Sequence, residues 1–408
     1  MNTLANTPIL KIVADVNQVA CRFLNPNDAL RKEAESALTQ ASSKEMAQFI
    51  LDDCFSQLTE SALIQLLEEE LGDPLVLDCF RPKRKGFGRT RAYGPQTITH
   101  ILPCNIPSIP IISLVLALLV KSASIAKISE RDAVPSLTAL FVKGLQSVNE
   151  TLSQSVTLIQ TAATAEAFDR SDLVILYGTD QTIATLRPLI PQGTRVIVHG
   201  PKVSLGIVAR DEITRQVAES AALDVALYDQ AGCLSPHLYY VEEGGKETPL
   251  VFAQSVAEAL AKIPLPKGKA TADQASAILQ LRGTLPLKGG TVFASKGTDW
   301  TVLYDPNPEF TPSPLSRTVF IKPIKTLSDI GEYLSPIARY LQAVGIAVSS
   351  VQTERLINQL GLLGVCRICP IGKMQKPPLT WHHDARFRLL DLLQFTDWEE
   401  GETLQNPQ

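Results

Sequence analysis

Cys233 is the side chain whose neighbours best suit nucleophilic chemistry. It lies in the segment Asp229-Gln-Ala-Gly-Cys-Leu-Ser-Pro-His237, where a glycine precedes the thiol and the apolar run 238–241 follows soon after. This order predicts a tight turn that leads into a buried strand, with the backbone N–H of the cysteine pointing outward. A thiol held in this way can attack a carbonyl carbon while its own N–H stabilises the resulting oxyanion. The alternative is a buried, inert cysteine that packs like a small hydrophobic side chain.

An amide donor follows another predicted strand, in the proline-bracketed turn Leu102-Pro-Cys-Asn-Ile-Pro107. Ligands of open α/β sheets bind beyond the carboxyl ends of the strands, where this turn is predicted to lie. The Asn105 amide is a neutral donor that suits an oxyanion. Asparagine is also a common N-cap residue, and the sequence leaves the two roles equally open.

Two more strand ends carry residues that suit a nucleotide. Lys127, Ser129 and Glu130 follow one predicted strand and are candidates for cofactor binding, because a lysine and a glutamate at that edge can hydrogen-bond ribose hydroxyls. The alternative there is a solvated charge pair, with Ser129 as the N-cap of the next helix. Gly178 and Thr179 follow another strand, and a glycine at a helix N-terminus lets the backbone approach a pyrophosphate. The chain has no Gly-x-Gly-x-x-Gly, so the ordinary dinucleotide fingerprint is absent.

Two histidines are candidates for proton transfer. His199 ends a predicted strand, and His237 follows the Cys233 turn. Imidazole titrates near neutral pH and is therefore the commonest proton carrier in enzymes. A histidine in an apolar segment is also commonly a hydrogen-bonded core residue, and this alternative stays open for both.

We expect no metal site. The seven cysteines match no zinc spacing, and Cys366 and Cys369 are interpreted as packing residues. His382, His383 and Asp384 are metal-binding types, but three adjacent residues point in different directions on any regular element.

The elements that must position these residues alternate between helix and strand. Residues 1 to about 75 have helical periodicity, and a basic loop at 81–91 follows, either solvated or in contact with coenzyme A phosphates or an acidic partner. We predict strands at 97–102, 123–128, 156–160, 173–177, 195–199, 204–209, 238–241, 301–304 and 317–322. We predict helices at 108–121, 133–149, 181–189, 213–226, 251–263, 337–341, 351–362 and 387–395. This alternation predicts parallel, doubly wound sheets, with a domain boundary near residue 203.

Length and composition restrict the class of protein. A chain of 408 residues with 45% apolar and 20% charged residues predicts two or three globular domains. The net charge of −4 argues against nucleic acid as the main partner. Unpaired cysteines and the lack of a signal-peptide pattern favour the cytoplasm. The apolar stretch 109–120 is too short to span a bilayer, so we predict a buried helix and no transmembrane segment.

Taken in order, these segments resemble the aldehyde dehydrogenase superfamily, and most closely its LuxC-type acyl-CoA reductases, the long-chain acyl-thioester reductases. The resemblance runs from about Tyr93 to Trp398. The motifs that carry it are the Cys233 segment, Gly200-Pro-Lys-Val-Ser204, Leu176-Tyr-Gly-Thr-Asp180 and the tail from Gly372-Lys-Met374 through Trp381-His-His-Asp384. The glycine expected after Asp384 is Ala385 in this chain.

The resemblance implies an α/β, aldehyde dehydrogenase-like fold of two doubly wound α/β domains with a helical N-terminal segment. The implied limits are 1–92 for the helical segment and basic loop, 93–203 for the nicotinamide domain, 204–365 for the catalytic domain and 366–408 for a tail that returns to the cofactor domain. It assigns Cys233 as the acyl-accepting nucleophile and Asn105 as an oxyanion donor. It places Lys127 against the adenosine ribose and Gly178 and Thr179 against the pyrophosphate.

One departure from the oxidising aldehyde dehydrogenases bears on the reaction. Those enzymes carry a glutamate just before a Gly-Gly-Lys turn, and it activates the hydrolytic water. The matching stretch here, Val196-Ile-Val-His-Gly-Pro-Lys202, has no carboxylate, so water attack on a Cys233 thioester should be slow. We therefore expect NADPH-dependent reduction of a long-chain acyl thioester, either acyl-CoA or acyl-protein, to the fatty aldehyde through S-acyl-Cys233, as in the branch that serves bacterial bioluminescence.

Two alternatives stay open, a short-chain CoA-acylating aldehyde dehydrogenase and a non-catalytic docking partner of an acyl-transfer complex. NADH is the alternative cofactor, because a Glu130 carboxylate near the ribose would repel a 2′-phosphate. The resemblance further implies an acyl-protein synthetase as partner and a homo-oligomer.

Overall fold

A computed structural model describes residues 3–83, 88–103, 105–128, 133–159 and 165–399. The helices are α1 (Ile9–Leu24), α2 (Ala29–Leu38), α3 (Lys44–Ser56), α4 (Glu60–Leu71), α5 (Ser108–Leu119), α6 (Ala133–Val148), α7 (Glu150–Gln154), α8 (Ala165–Asp169), α9 (Asp180–Leu186), α10 (Arg215–Ala226), α11 (Pro249–Lys262), α12 (Ala272–Thr284), α13 (Ile330–Leu334) and α14 (Ser350–Leu362). The strands are β1 (Arg81–Pro82), β2 (Arg89–Tyr93), β3 (Thr97–Ile101), β4 (Ala123–Lys127), β5 (Val156–Ile159), β6 (Leu173–Tyr177), β7 (Arg195–His199), β8 (Val203–Val208), β9 (Pro236–Glu242), β10 (Thr291–Ala294), β11 (Thr301–Tyr304), β12 (Thr318–Ile324), β13 (Leu341–Ala347), β14 (Arg367–Pro370) and β15 (Gln394–Trp398).

The first sheet has five parallel strands in the order β5-β4-β3-β6-β7. The chain winds outward from β3 through β4 to β5 and then returns to β6 and β7, so the winding direction reverses between β3 and β6. A crevice opens at such a reversal beyond the carboxyl ends of the strands, and ligands bind there. The predicted site residues that follow β3, β4, β6 and β7 therefore face one crevice.

The N-terminal helices form one core with α5 and α6. Helix α1 buries Ile9, Ile12, Val13, Val16, Val19, Ala20 and Phe23, which recur at the spacing of a single helix face. Phe23 stacks on Phe55 of α3 with ring centroids 3.9 Å apart, and Phe55 in turn contacts Phe141 of α6. Helix α5, the buried apolar helix predicted from 109–120, lies in this core.

The second sheet has seven strands in the order β10-β11-β12-β9-β8-β13-β14, all parallel except β10. Strand β9, which follows the Cys233 turn, lies at its centre. A side chain at Gly206 of β8 would place its Cβ only 2.1 Å from the Tyr239 ring, so the close packing of these two strands requires glycine. The chain passes from the first sheet to the second between His199 and Val203, where the sequence predicts a domain boundary.

The tail leaves the second sheet and runs back past β7 of the first sheet, where Arg195 donates to the carbonyls of Asp391 and Leu392. After β14 it is held by Asp224, whose carboxylate accepts the backbone N–H groups of Gly372 and Met374. Strand β15 then pairs with β2 in a three-stranded antiparallel sheet of order β1-β2-β15. In the part of the chain that the structure describes, none of the helices combines the length and apolar character needed to cross a membrane.

The helix predicted at 387–395 is wrong. The backbone N–H groups of Arg388, Leu389 and Leu390 donate to the Glu70 carboxylate at 2.7–3.0 Å, which replaces the bonds that a helix would make within itself. The segment is a turn followed by β15. The helix predicted at 337–341 is a 3-10 helix at Ser335–Tyr340 that leads into β13. Sequence periodicity also missed α12, although Thr271 and Gln274 form a capping box at its start.

The tail anchor can be tested with Glu70→Ala. Removal of an ionised acceptor of three backbone N–H groups should lower the free energy of unfolding by about 2 kcal/mol and should speed hydrogen exchange at residues 388–390. Urea unfolding and amide exchange measure the two effects. Glu69→Ala removes an exposed carboxylate from the same helix turn and should leave both unchanged; equal protection of residues 388–390 in both variants would contradict the anchor.

Candidate active site

A strained turn positions Cys233. Three consecutive non-glycine residues before it, Tyr228, Asp229 and Gln230, have positive φ values of 54°, 49° and 67°. The Gln230 side chain is buried, donates to the carbonyls of Pro236 and Thr318, and accepts the Thr318 N–H, at 2.7–2.8 Å. Such a conformation persists only where its surroundings impose it, and it is concentrated at functional sites.

Hydrogen bonds fix the turn on both sides of the cysteine. The Ser204 hydroxyl donates to the Cys233 carbonyl at 2.7 Å. The Ser235 hydroxyl accepts the Gly232 N–H and the Gln375 side-chain amide at 3.2 and 2.7 Å. Residues from β8 and from the tail therefore hold the cysteine loop in place.

The Cys233 thiol is held in its protonated form. Burial, and then the nearby Asp384 carboxylate, raise the pKa of Cys233 to about 12, although the backbone N–H groups of Cys233 and Leu234 act in the opposite direction. Both N–H groups therefore lie close to the Cys233 sulfur. Because the thiolate is the nucleophilic form, a thiol with this pKa needs a neighbouring base at neutral pH.

Two cavities meet at Cys233. The first, called the polar cleft for the charged side chains of Lys127, Lys202 and Asp384 that line it, lies beyond the carboxyl ends of β3, β4, β6 and β7. It has about 1970 Å³ of empty space including its mouth, and most of its lining surface is apolar. The predicted residues that line it are Asn105, Lys127, Gly178, Thr179, His199, Cys233 and His237. The structure thus brings together the predicted site residues that it describes. Ser129 and Glu130 lie outside the described residues.

The second cavity is largely apolar, with about 1020 Å³ of empty space. One wall is a face of α5 formed by Ile109, Ile112, Ser113 and Leu116, and another is Ile175 of β6 and Ile197 of β7. The tail closes it with Trp381, Phe387, Arg388, Asp391 and Leu392. Cys233, His199 and Tyr177 line both cavities, so one thiol borders the polar cleft and the second cavity.

His199 is fixed between the two cavities by Asp384, a residue 185 positions later. Its Nδ1 lies 2.5 Å from the Asp384 carboxylate, and its ring contacts the rings of Tyr177 and His383, with centroids 4.3 and 4.7 Å away. Burial would raise the pKa of Asp384, but the hydrogen bond from His199 and the neighbouring positive charges lower it to about 2. Burial and the charge of His199 lower the pKa of His383 to about 3, so this second imidazole is neutral at pH 7.

Comparison with known proteins now decides the family. Residues 4–395 match the family model described as acyl-CoA reductase (LuxC). The chain belongs to this family. It is 26% identical over 311 residues to a long-chain acyl-protein thioester reductase of Aliivibrio fischeri, covering 74% of this chain and 63% of that protein. Long-chain acyl-protein thioester reductase 2 of Photobacterium leiognathi is 23% identical over 273 residues, covering 64% and 56%. The matches thus span less than two thirds of these relatives.

Solved structures identify the fold as aldehyde dehydrogenase-like, as expected. Aldehyde dehydrogenase 21 of Physcomitrella patens superposes with a TM-score of 0.73 at 14% identity, over 98% of this chain and 88% of that one. The glyceraldehyde-3-phosphate dehydrogenase GapN of Methanocaldococcus jannaschii, in complex with NADP, gives a TM-score of 0.73 at 10% identity, over 97% and 90%.

Asn105 lies beside the cysteine loop of this acyl-CoA reductase family member. Its side-chain amide donates to the Ala231 carbonyl at 2.8 Å, and one N–H of that amide remains for another acceptor. The N-cap of α5 is Pro107, without a side-chain cap, so the helix-capping alternative for Asn105 is wrong.

The described cofactor candidates lie at one side of the polar cleft. Lys127 ends β4, and Thr179 caps α9 by accepting the Thr182 N–H at 3.2 Å. A Cβ on Gly178 would lie 2.8 Å from the Thr182 side chain, so the packing of this turn requires glycine.

His237 is less suited to proton transfer than His199. Its Nδ1 accepts the Ser313 N–H at 3.1 Å, and burial lowers its pKa to about 4. It lines the cleft as a neutral residue that holds the 313–318 segment.

His199, His383 and Asp384 include atoms within 4.8 Å of one another, so the expectation that adjacent tail residues point apart is wrong for His383 and Asp384. The short His199–Asp384 contact identifies a hydrogen-bonded pair, and the Lys202 ammonium 4.0 Å from Asp384 would oppose a second cation. Sequence periodicity could not predict the contact between Asp384 and His199. The available signal was the His-His-Asp sequence of the tail.

Ala385 provides a test of this tail geometry. Asp384 and Ala385 have φ values of 56° and 58°, a conformation that suits the glycine which the resemblance led us to expect at the second position. Ala385→Val should lower the free energy of unfolding by about 1–2 kcal/mol, because a β-branched side chain is disfavoured in the left-handed region. Chemical denaturation measures this, and Ala385→Gly is the matched control that should be at least as stable as the wild type. Equal stability of the valine variant would contradict the left-handed turn.

Proposed function

We propose that this protein reduces a long-chain fatty acyl thioester to the fatty aldehyde through a thioester on Cys233, with a reduced nicotinamide as hydride donor. The observation that carries the proposal is the meeting of two cavities at one thiol, a wide cleft lined by Lys127 and Lys202 and a second cavity walled by the largely apolar face of α5. An acyl thioester has an apolar chain, and a dinucleotide is polar. Each has a cavity of matching chemistry, and the acyl carbon is shared at the junction.

The polar cleft suits a dinucleotide. It lies at the reversal of strand winding, where such cofactors bind in open α/β sheets. Lys127 would contact the ribose, and Gly178 and Thr179 would lie along the pyrophosphate. When bound, the reduced nicotinamide supplies the hydride. NADPH is the first candidate from the family resemblance, and NADH is the alternative.

The chain's own residues carry the rest of the reaction. The Cys233 sulfur attacks the acyl carbon, and its proton passes to His199. The leaving thiol departs from the acyl carbon, and the side-chain amide of Asn105 and the N–H of Cys233 stabilise the oxyanion. After reduction, the same donors hold the hemithioacetal oxyanion, which collapses to aldehyde and releases the Cys233 sulfur.

Slow hydrolysis of the acyl-enzyme is supported by the state of the nearby carboxylate. Asp384 is the carboxylate that the tail brings beside the site, but it accepts a hydrogen bond from His199 and has a pKa of about 2. A carboxylate that acidic is a weak base toward water. Asp384 itself would therefore not activate water for attack on the acyl-enzyme.

The same proposal covers the partners. The acyl donor is acyl-CoA or an acyl-protein, and an acyl-protein synthetase would deliver the latter. We place the enzyme in the cytoplasm as a homo-oligomer. Aldehyde for light emission is one use of the product, and the chemistry does not depend on it.

The covalent step is tested by intact mass after mixing the protein with tetradecanoyl-CoA in the absence of nicotinamide. The wild type should gain one acyl mass, and added NADPH should discharge it as aldehyde. Cys233→Ser should gain no thioester, whereas Cys366→Ser, which removes another half-buried thiol, should behave like the wild type. An adduct that survives in Cys233→Ser would contradict the assignment.

The acyl donor in the same experiment separates the alternatives. Hexanoyl-CoA in place of tetradecanoyl-CoA tests the short-chain reading. Preferential labelling by hexanoyl-CoA would favour a short-chain CoA-acylating dehydrogenase. No labelling by acyl-CoA or acyl-protein would favour the docking role.

The apolar cavity is tested with Ile112→Trp, which fills it from the middle of the α5 face. Acylation by tetradecanoyl-CoA should fall by about tenfold or more, while acylation by hexanoyl-CoA should stay within about twofold of wild type. Leu287→Trp adds the same ring at a position that is 87% exposed and should change neither rate. An equal loss with both substrates would contradict the cavity as the chain site.

A further inference from the structure

We propose that Asp384 positions His199 as the proton carrier for Cys233, so that the three side chains act as a Cys–His–carboxylate relay. This inference rests on the proposed acyl transfer to Cys233 and adds the origin of its base. Asp384 is a positioning residue in this scheme, because it acts on the sulfur through the imidazole of His199.

The first support is the hydrogen-bond geometry of the pair. The Asp384 carboxylate lies 2.5 Å from Nδ1 of His199 and is ionised, so it accepts and Nδ1 carries the proton. In a neutral imidazole this leaves the lone pair on Nε2. Among the described residues, Nε2 of His199 has no hydrogen-bond partner and is not sealed from solvent. His199 lines both cavities with Cys233, so we infer that Nε2 is the atom that takes the proton at their junction.

The second support is that Asp384 is held in a buried and conformationally unfavourable position. Its side chain is only 6% exposed, and its backbone and that of the next residue are both in the left-handed region. One carboxylate oxygen is buried without a hydrogen-bond partner. Backbone strain and a buried oxygen without a hydrogen bond both lower the stability of the folded protein. If the side chain served only packing, an apolar residue at this position would make the protein more stable. A role toward His199 explains why the carboxylate is there.

The third support is the charge around the imidazole. The groups that face it are Asp384 and His383 from the tail, Tyr177 from β6, Lys202 after β7, Cys233 from its turn, and Arg388 behind Tyr177. His383 is neutral at pH 7, and burial raises the pKa of Tyr177, so neither competes for the proton of Cys233. Asp384 is the anion in contact with His199, and it would stabilise the imidazolium formed when His199 accepts that proton.

The relay balances in both halves of the reaction. The proton of the Cys233 thiol passes to Nε2 of His199 as the bond from sulfur to the acyl carbon forms. The bond from the acyl carbon to the leaving sulfur then breaks, and Nε2 returns the proton to that thiolate. After hydride reduction, release of the aldehyde leaves a Cys233 thiolate, which takes a proton from His199 that solvent has recharged.

The test measures single-turnover acylation by tetradecanoyl-CoA from pH 6 to pH 10 in the wild type and in Asp384→Asn. At pH 7 the variant should acylate about 100-fold more slowly, the usual scale for loss of a positioned base. Its rate should then rise roughly tenfold per pH unit through pH 10, since it depends on direct ionisation of a buried thiol, whereas the wild-type rate should level off at a lower pH. Asp397→Asn removes a tail carboxylate paired with Lys83 and should keep the wild-type profile.

A structural role for Asp384 predicts different results. If its charge acted only on the sulfur, its removal would ease thiol ionisation and Asp384→Asn would acylate faster, which would overturn the inference.

His199→Gln provides the second variant. The double variant should be no slower than His199→Gln alone, and additive losses would also overturn the relay. If the wild type itself forms no acyl-enzyme, the proposed function fails and the relay with it; if the wild type acylates and Asp384→Asn matches its profile, only the relay fails.

Discussion

The return of the tail across the two sheets is the constraint on which the rest of the site depends. The tail leaves the seven-stranded sheet after β14, is tied by Asp224 and Glu70, and ends as a strand beside β2. Between these anchors it closes the apolar cavity and brings Asp384 to His199. The two sheets alone would leave the cavity open and the imidazole without its carboxylate.

Burial creates a conflict at the nucleophile, and the site resolves it locally. Partial burial strengthens hydrogen bonds to an oxyanion, but it also raises the pKa of the Cys233 thiol and keeps it protonated. In the relay that we propose, the His199 imidazole removes this proton. The strained turn at 228–230, together with the hydrogen bonds of the Gln230 side chain, holds Cys233 at the border of both cavities.

The sequence predicted the alternating architecture and most of the site for a physical reason. Strands β6, β7 and β11 were predicted at their observed limits, because short apolar runs between polar turns are a local signal. Since the carboxyl ends of neighbouring parallel strands converge, Asn105, Lys127, Gly178 and His199 had to share one cleft. The tail could not be predicted in this way. Its turn at Arg388 depends on a carboxylate 318 positions earlier, and the Asp384 contact spans 185 positions, so neither has a local pattern. The helix predicted at 387–395 failed for the same reason.

A crystal structure of the protein acylated by tetradecanoyl-CoA without nicotinamide tests the central claim most directly. The account predicts thioester density on Cys233, with the alkyl chain along the α5 face past Ile109, Ile112 and Leu116, and the polar cleft left free for the dinucleotide. An alkyl chain in the polar cleft, or a thioester on another cysteine, would contradict the claim that the two cavities divide the acyl chain and the hydride donor between them.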